Sequence, residues 1–319
     1  MSLPSKNDLD SKCLRPAPGE VVFVRSVRQI LETLDEHGCL GGLPFMPEML
    51  PFCGQKFRVD RIANKACVNA ETVYIGSLAN CVVLAIPQRC GGEAHGGCQM
   101  GCKFLWRTEW LEGESSVGER DGSIDDTVDD DVRERLQGLT LKAVDEPGKI
   151  FRCQATELIN IAEPTSAFQV GQYVKDVASG VPVKQVIRFI ADLAIKKASR
   201  TADHLSGPCT GRTPTEKLGL TVGETVRVKS IDEIRETLDA AGCNRGLWFD
   251  RHEMGSFCGQ ELVVSRVLHR LMDEKTGQLR ELKNPCVVLS EVECSGVFRR
   301  FCSRGMLHFW REVWLERIN

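Results

Sequence analysis

The segment CGGEAHGGCQMGC, residues 90–102, sets Cys90, Cys98, Cys102 and His95 among five glycines. Thiolate and imidazole are ligands for zinc, copper and iron–sulfur centres. Glycine backbone takes turns that other residues resist, and it can aim N–H groups at ligated sulfur. The segment offers little apolar surface to bury, so core packing does not account for three cysteines within it. The spacing is C-x7-C-x3-C, and no C-x2-C pair occurs anywhere in the chain. Structural zinc commonly announces itself by such close pairs. An iron–sulfur cluster is therefore the first expectation, with Zn2+ as the alternative.

The remaining ligands are found by laying the chain over itself. EVVFVRSVRQILETLDEHGC (20–39) matches ETVRVKSIDEIRETLDAAGC (224–243), and FCGQKFRVDRI (52–62) matches FCGQELVVSRV (257–267). CVVL recurs at 81 and 286, and FLWRTEWLE (104–112) matches HFWREVWLE (308–316). The offset stays at 204–205, which makes one unit of 93 residues present twice. Cys53, Cys90 and Cys98 then fall opposite Cys258, Cys294 and Cys302, whereas Met306 and Arg299 stand opposite Cys102 and His95. The first expected site is Cys53, Cys90, Cys98 and Cys102, with His95 as a substitute ligand or hydrogen-bond donor. The second, with fewer ligands, is Cys258, Cys294 and Cys302. Cys67 is held in reserve, and Cys153 in FRCQATEL offers a further sulfur. Cys81 and Cys286 sit in apolar strands and read as core. Glu48 and Glu253 also recur, and they are expected as solvated loop carboxylates.

These ligands must be carried by short elements. Each copy opens on an alternating strand, VVFVR or TVRVK. Ser26 with Gln29, and Ser230 with Glu233, have the spacing of a capping box that starts a helix. That helix buries Ile30 and Leu34, or Ile234 and Leu238, and closes at Gly38 or Gly242. A strand, a hairpin (in copy two around DEKTGQ, 273–278), the CVVL strand, the cysteine loop and an aromatic segment follow. Trp106 and Trp110, like Trp310 and Trp314, have helical spacing and read as core. The expected fold class is α+β: two copies of a small SH3-like or partly open β-barrel unit with one helix each, plus a helical middle segment.

The boundaries follow from composition. Residues 1–19 are expected to be disordered, 20–112 form the cysteine-rich first repeat and 113–138 an acidic linker. Residues 139–205 form a helical connecting region, 206–219 a second linker and 220–319 the second repeat. In the middle region FRCQATELINIAEP (151–164) reads as a short helix. VPVKQVIRFIADLAIKKASR (181–200) reads as a longer one, with Val183, Val186, Ile187, Ile190 and Leu193 on a face expected to pack against one or both barrels.

Hydrophobic residues make up 42% and charged residues 27% of the chain, as in globular proteins, and the formal net charge is −3. That balance and only two tyrosines argue against nucleic-acid binding. No apolar run reaches the length of a membrane span, and the first residues lack the regions of a secretory leader. The expected location is the cytoplasm, where fifteen cysteines stay reduced and suit metal ligation. The expected function is a thiolate-ligated metalloprotein supporting redox or biosynthetic chemistry on an unknown small molecule or protein partner. The alternative is a non-catalytic adaptor stapled by metal.

LPFMPEMLPFCGQ, AHGGCQMGCKFLWRTEWLE, FRCQATEL, FDRHEMGSFCGQ and FWREVWLER together resemble a group of uncharacterised bacterial cysteine-rich proteins with a duplicated unit. The resemblance covers most of the chain beyond residue 20 and the acidic linker, and it implies no activity or catalytic residue.

Overall fold

In the computed structural model the first alternating segment becomes the strand Val21–Val24, which buries Val22 and Val24 and leaves Val21 and Phe23 half-buried. The structure describes residues 14–69, 73–114, 130–145, 148–199, 204–290 and 292–318. The chain is mixed α+β and divides into two units. The first comprises Met1–Val183, Met272–Leu279 and Arg299–Arg304. The second comprises Lys184–Leu271, Arg280–Phe298 and Gly305–Asn319.

In the first unit Val21–Val24 lies at the centre of its pairings, between Lys56–Ile62 and Leu111–Gly113. Cys81–Leu84 and then Leu105–Arg107 extend the sheet beyond Lys56–Ile62, all antiparallel. In the second unit the order is the same: Trp310–Arg311, Leu279–Leu289, Glu261–Met272, Thr225–Val228 and Leu315–Arg317. Among the described residues each sheet stays open in its pairing, and neither closes into a barrel.

The duplication extends to individual hydrogen bonds. Ser26 and Gln29 form a reciprocal capping box ahead of the helix Val27–Leu31, as Ser230 and Glu233 do ahead of Ile231–Arg235. Both helices are shorter than expected. Leu34 lies beyond the first, and Gly38 (φ 72°) and Gly242 (φ 79°) serve a later turn instead of closing a helix. Trp110 and Trp314 are fully buried, and each indole N–H donates to a threonine hydroxyl: Thr33 at 3.0 Å and Thr237 at 2.9 Å. The tryptophans are core, as expected, but they do not share a helix. Trp106 lies on a strand and Trp110 on the 3-10 turn Thr108–Trp110. Arg107 spends its forked donors on the carbonyls of Leu40, Gly41 and Ala79. Arg311 does the same for Asn244, Arg245 and Asn284. A guanidinium can satisfy several carbonyls that strand pairing leaves open, so each arginine pins a two-residue hairpin to its sheet.

The middle region differs from expectation in two places. Residues 115–129 of the acidic linker lie outside the described residues, but the chain is helical over Asp130–Thr140. The helix Val183–Ser199 forms, yet its apolar stripe is largely exposed: Val183 53%, Ile187 62% and Ile190 42%, with only Val186 buried among them. Amphipathic periodicity identified a helix face but not whether anything packs on it.

A second small sheet in the first unit pairs Lys65–Val68 with Tyr74–Ser77, and Glu163–Pro164 joins its far edge. Lys65 is 2% exposed, and its ammonium meets the equally buried Asp176 carboxylate at 2.5 Å, beside the Tyr173 ring. Burial pushes the lysine pKa down and the aspartate pKa up, and each partner offsets part of the other's shift. Breaking such a pair leaves an uncompensated charge in the interior. Lys65→Met is therefore expected to cost about 3–5 kcal/mol in denaturant unfolding. Lys65→Met with Asp176→Leu should recover most of that loss, and a single variant as stable as wild type would refute the assignment.

Candidate metal centre

The glycine-rich loop owes its shape to left-handed backbone that favours glycine. Gly92, Gly96, Gly97 and Gly101 have φ of 74°, 77°, 76° and 62°. Between the first two, residues Glu93–His95 make one 3-10 turn. A Cβ added at Gly92 would lie 1.9 Å from the Cys98 carbonyl oxygen, so the loop crosses itself at a distance no side chain allows. The Gly97 N–H donates to Gly92 O at 2.8 Å, and the Cys90 N–H donates to Cys102 O at 2.9 Å, which closes the loop at its base.

This winding directs His95 inward, where it is 2% exposed. Nε2 lies 3.8 Å from Cys90 Sγ, and Nδ1 lies 3.5 Å from Glu48 Oε1. Among the described residues, Glu48, Cys90 and His95 form a group whose ligand atoms all lie within 4.8 Å of one another. Cys98 and Cys153 line the same cavity as the imidazole. His95 Nδ1 and Glu48 Oε2 are buried and make no hydrogen bond. Two buried ligand atoms without hydrogen bonds, on side chains that face each other, are what a bound cation would satisfy.

Three other segments hold these groups. The turn Pro47–Phe52 presents Glu48, whose Oε1 accepts the Ala94 N–H at 3.2 Å. The Thr140 hydroxyl, at the end of its helix, donates to Ala94 O at 2.5 Å, so the residue before His95 is held on both sides. Cys153 begins the helix Gln154–Ile161. Its neighbour Gln154 completes the sheet edge like a strand: the side-chain oxygen accepts the Leu105 N–H at 2.8 Å, and the amide donates to Leu105 O at 2.8 Å and to Pro44 O at 3.1 Å. One small cavity, of about 20 Å³, is lined by Cys90, His95, Cys98, Cys102 and Cys153.

Electrostatics within the cluster are cooperative. Burial works against the His95 imidazolium, but the thiols of Cys90 and Cys98 and the Glu48 carboxylate outweigh it and push its pKa up. Burial likewise opposes the Glu48 carboxylate, and the adjacent imidazole with the Ala94 N–H holds its pKa down. Burial pushes Cys102 and Cys153 up.

Of the residues expected from the sequence, Cys90, His95, Cys98 and Cys102 come together at this cavity. Cys53 caps the turn Pro47–Phe52, its N–H on Leu50 O at 3.1 Å, and the cavity lining does not include it. Glu48, from the same turn, reaches the loop instead. The recurrence of Glu48 and Glu253 was the signal for this role, and the expectation of solvated carboxylates is corrected. The Glu48 side chain is 14% exposed, and Glu253 is buried, accepting the Ser295 N–H at 2.9 Å and hydroxyl at 2.8 Å. An anchoring glutamate under the loop is thus common to both copies. In the second unit Cys294 opens the corresponding loop, its N–H on Met306 O at 2.7 Å, and Cys258 packs against that unit's apolar core. Cys302 belongs to the first unit, where its sulfur lies against Cys67. Cys81 and Cys286 are buried in their strands, and burial pushes the Cys81 thiol up to about 11.

Gly92→Ala tests whether the loop's crossing point sets the site. A left-handed alanine costs about 1–2 kcal/mol and the overpacking about 1–3 more. The expected loss is therefore about 2–5 kcal/mol of unfolding free energy, against about 1–2 kcal/mol for Gly211→Ala, a left-handed glycine with open space around it. Equal losses at the two positions would show that crowding at Gly92 contributes nothing.

Comparison with protein-family models, with curated proteins and with solved structures returned no match.

Proposed function

We propose that the first unit binds a single zinc-class divalent ion through Cys90, His95 and Glu48, with Cys98 or Cys153 as the fourth donor. The carrying observation is the convergence of a thiol, an imidazole and a carboxylate within 4.8 Å, two of whose buried atoms lack hydrogen bonds. Zinc accepts sulfur, nitrogen and oxygen together, whereas magnesium and calcium prefer oxygen alone. The small cavity, lined by Cys90, His95, Cys98 and Cys153 but not by Glu48, has room for one ion. The ion's role in this reading is structural. It would join the turn Pro47–Phe52, the glycine-rich loop and the start of the helix Gln154–Ile161. Unfolding would forfeit the free energy of binding the ion, so metal binding adds directly to folding stability. Free thiols at every described cysteine support a reducing compartment for this protein.

We further read each repeat as a partly open, SH3-like barrel. In support, both sheets share one strand order in which the last strand returns beside the first, and a 3-10 turn separates the last two strands.

One observation favours a second reading. Cys90, Cys98, Cys102 and Cys153 line the same cavity, and four thiolates are the usual complement of an iron–sulfur cluster. Such a cluster would supply electron transfer or substrate-binding chemistry.

Metal and sulfide analysis after anaerobic purification separates the two. The first reading expects a colourless protein with about one zinc per chain. Iron with inorganic sulfide and broad visible absorption supports the second. His95→Ala and Cys90→Ser should lower zinc occupancy about tenfold or more and reduce Tm, and Cys258→Ser should leave occupancy unchanged. Chelation should lower the Tm of wild type toward that of His95→Ala. Metal-free protein from zinc- and iron-supplemented cultures would refute both readings.

A further inference from the structure

Cys67 and Cys302 are separated by 235 residues, yet their sulfurs lie 3.5 Å apart within the first unit. Cys67 is on the strand Lys65–Val68 and is partly exposed, whereas Cys302 is buried. The contact is held from both sides. The Cys67 N–H donates to Cys302 Sγ at 3.1 Å, and the Ser303 N–H donates to Lys65 O at 2.9 Å. The Ser303 hydroxyl reaches Ile62 O at 3.2 Å. Arg304, itself 8% exposed, donates to Cys67 O at 3.0 Å and forms a two-point pair with the buried Glu274 at 2.6 and 3.0 Å. Just before Cys302, Arg300 (φ 53°) and Phe301 (φ 63°) both adopt left-handed backbone, a conformation that costs energy for residues other than glycine. The segment accepts that strain in the turn that delivers the Cys302 sulfur to Cys67.

We propose that Cys67 and Cys302 form a thiol–disulfide exchange site, which closes reversibly to an intramolecular disulfide when a low-molecular-weight disulfide reaches Cys67. The site is separate from the proposed metal ligands and does not depend on them. In the geometry present, the Cys302 S–H donates to Cys67 Sγ. That bond lowers the Cys67 pKa most, burial opposes it and the Arg304 charge assists, while the same contact and burial raise Cys302. The partly exposed sulfur is thus the nucleophile and the buried one resolves.

The exchange balances in two steps. The Cys67 thiolate attacks one sulfur of R–S–S–R, the R–S–S–R bond breaks, and R–S⁻ leaves with the bonding pair. Cys302 then gives its proton to that leaving thiolate, and its own thiolate attacks the Cys67 sulfur of the mixed disulfide. The Cys67–S–S–R bond breaks, a Cys67–Cys302 bond forms, and a second R–S⁻ departs and takes from water the proton that Cys67 gave up on ionising. The two protein thiols are oxidised by two electrons and the small disulfide is reduced to two thiols. Excess small thiol reverses both steps. A bond of about 2.05 Å requires the sulfurs to approach by about 1.5 Å, a displacement side-chain rotation can supply.

The test uses the full chain as purified, incubated with glutathione and glutathione disulfide at graded ratios. Samples are acid-quenched, alkylated and mapped by mass spectrometry without reduction. The expected first product is a peptide linking Cys67 to Cys302, lost again with dithiothreitol, while Cys81 and Cys286 remain alkylated. Cys302→Ser should instead stop at a glutathione adduct on Cys67. Oxidation that begins at other cysteines, or a Cys67 that resists glutathione disulfide alone, overturns the proposal. The wild-type map decides even where Cys302→Ser fails to fold.

Discussion

An imidazole taken entirely out of water needs a partner for each ring nitrogen, and at His95 the protein's own groups leave Nδ1 without a hydrogen bond. Its neighbours are the Glu48 carboxylate facing Nδ1 and the Cys90 thiol facing Nε2, with Cys98 and Cys153 lining the same cavity. They arrive on three separate pieces of chain. Each piece is fixed by a further interaction: Ala94 between Glu48 and Thr140, and Gln154 clamped on the sheet edge at Leu105. The glycines follow from the same constraint. A loop that must fold a histidine back toward its own flanking cysteines crosses itself at Gly92 and Cys98, where no Cβ fits.

The two copies separate frame from chemistry. Strand order, capping box, buried tryptophan with its threonine partner, and the arginine that gathers three carbonyls are common to both. So is the glutamate beneath the loop. The ligand set as a whole is not shared: Glu48, Cys90 and Cys98 have counterparts in Glu253, Cys294 and Cys302, but Arg299 and Met306 occupy the places of His95 and Cys102. Interactions that hold the frame involve backbone groups, which every sequence carries. A ligand set needs particular side chains, and a few replacements remove it without disturbing the frame.

The segment Arg299–Arg304 shows how far position along the chain can diverge from position in the fold. By alignment Cys302 is the counterpart of Cys98, yet it lies with the first unit and touches Cys67. The buried Arg304–Glu274 pair and two left-handed residues mark the effort of holding it there. Buried ion pairs are poor sources of net stability but strict about geometry, because either charge alone is costly in the interior.

Much of the frame was legible before any coordinates. The capping boxes, the alternating strands, the helices near 154 and 183, the 273–278 turn and the duplication all rest on interactions between residues close in sequence. Such interactions leave a periodicity or a fixed spacing. The gathering of Cys90, His95, Cys98 and Cys102 was legible for the same reason, since one short loop contains them. Glu48 was visible as a recurring residue, but recurrence alone does not tell a buried acceptor from a solvated carboxylate.

By itself, then, the amino-acid order determined the local elements, the repeat and the cysteine-rich loop. Only the tertiary structure decided that Glu48 and Cys153 join the loop, that Cys53 stays at its turn, and that Cys67 meets Cys302 across 235 residues. The reason is physical. Hydrogen bonds within a turn or cap depend on neighbours a few residues away, whereas a meeting of distant side chains depends on how a whole unit packs, and no short spacing records that.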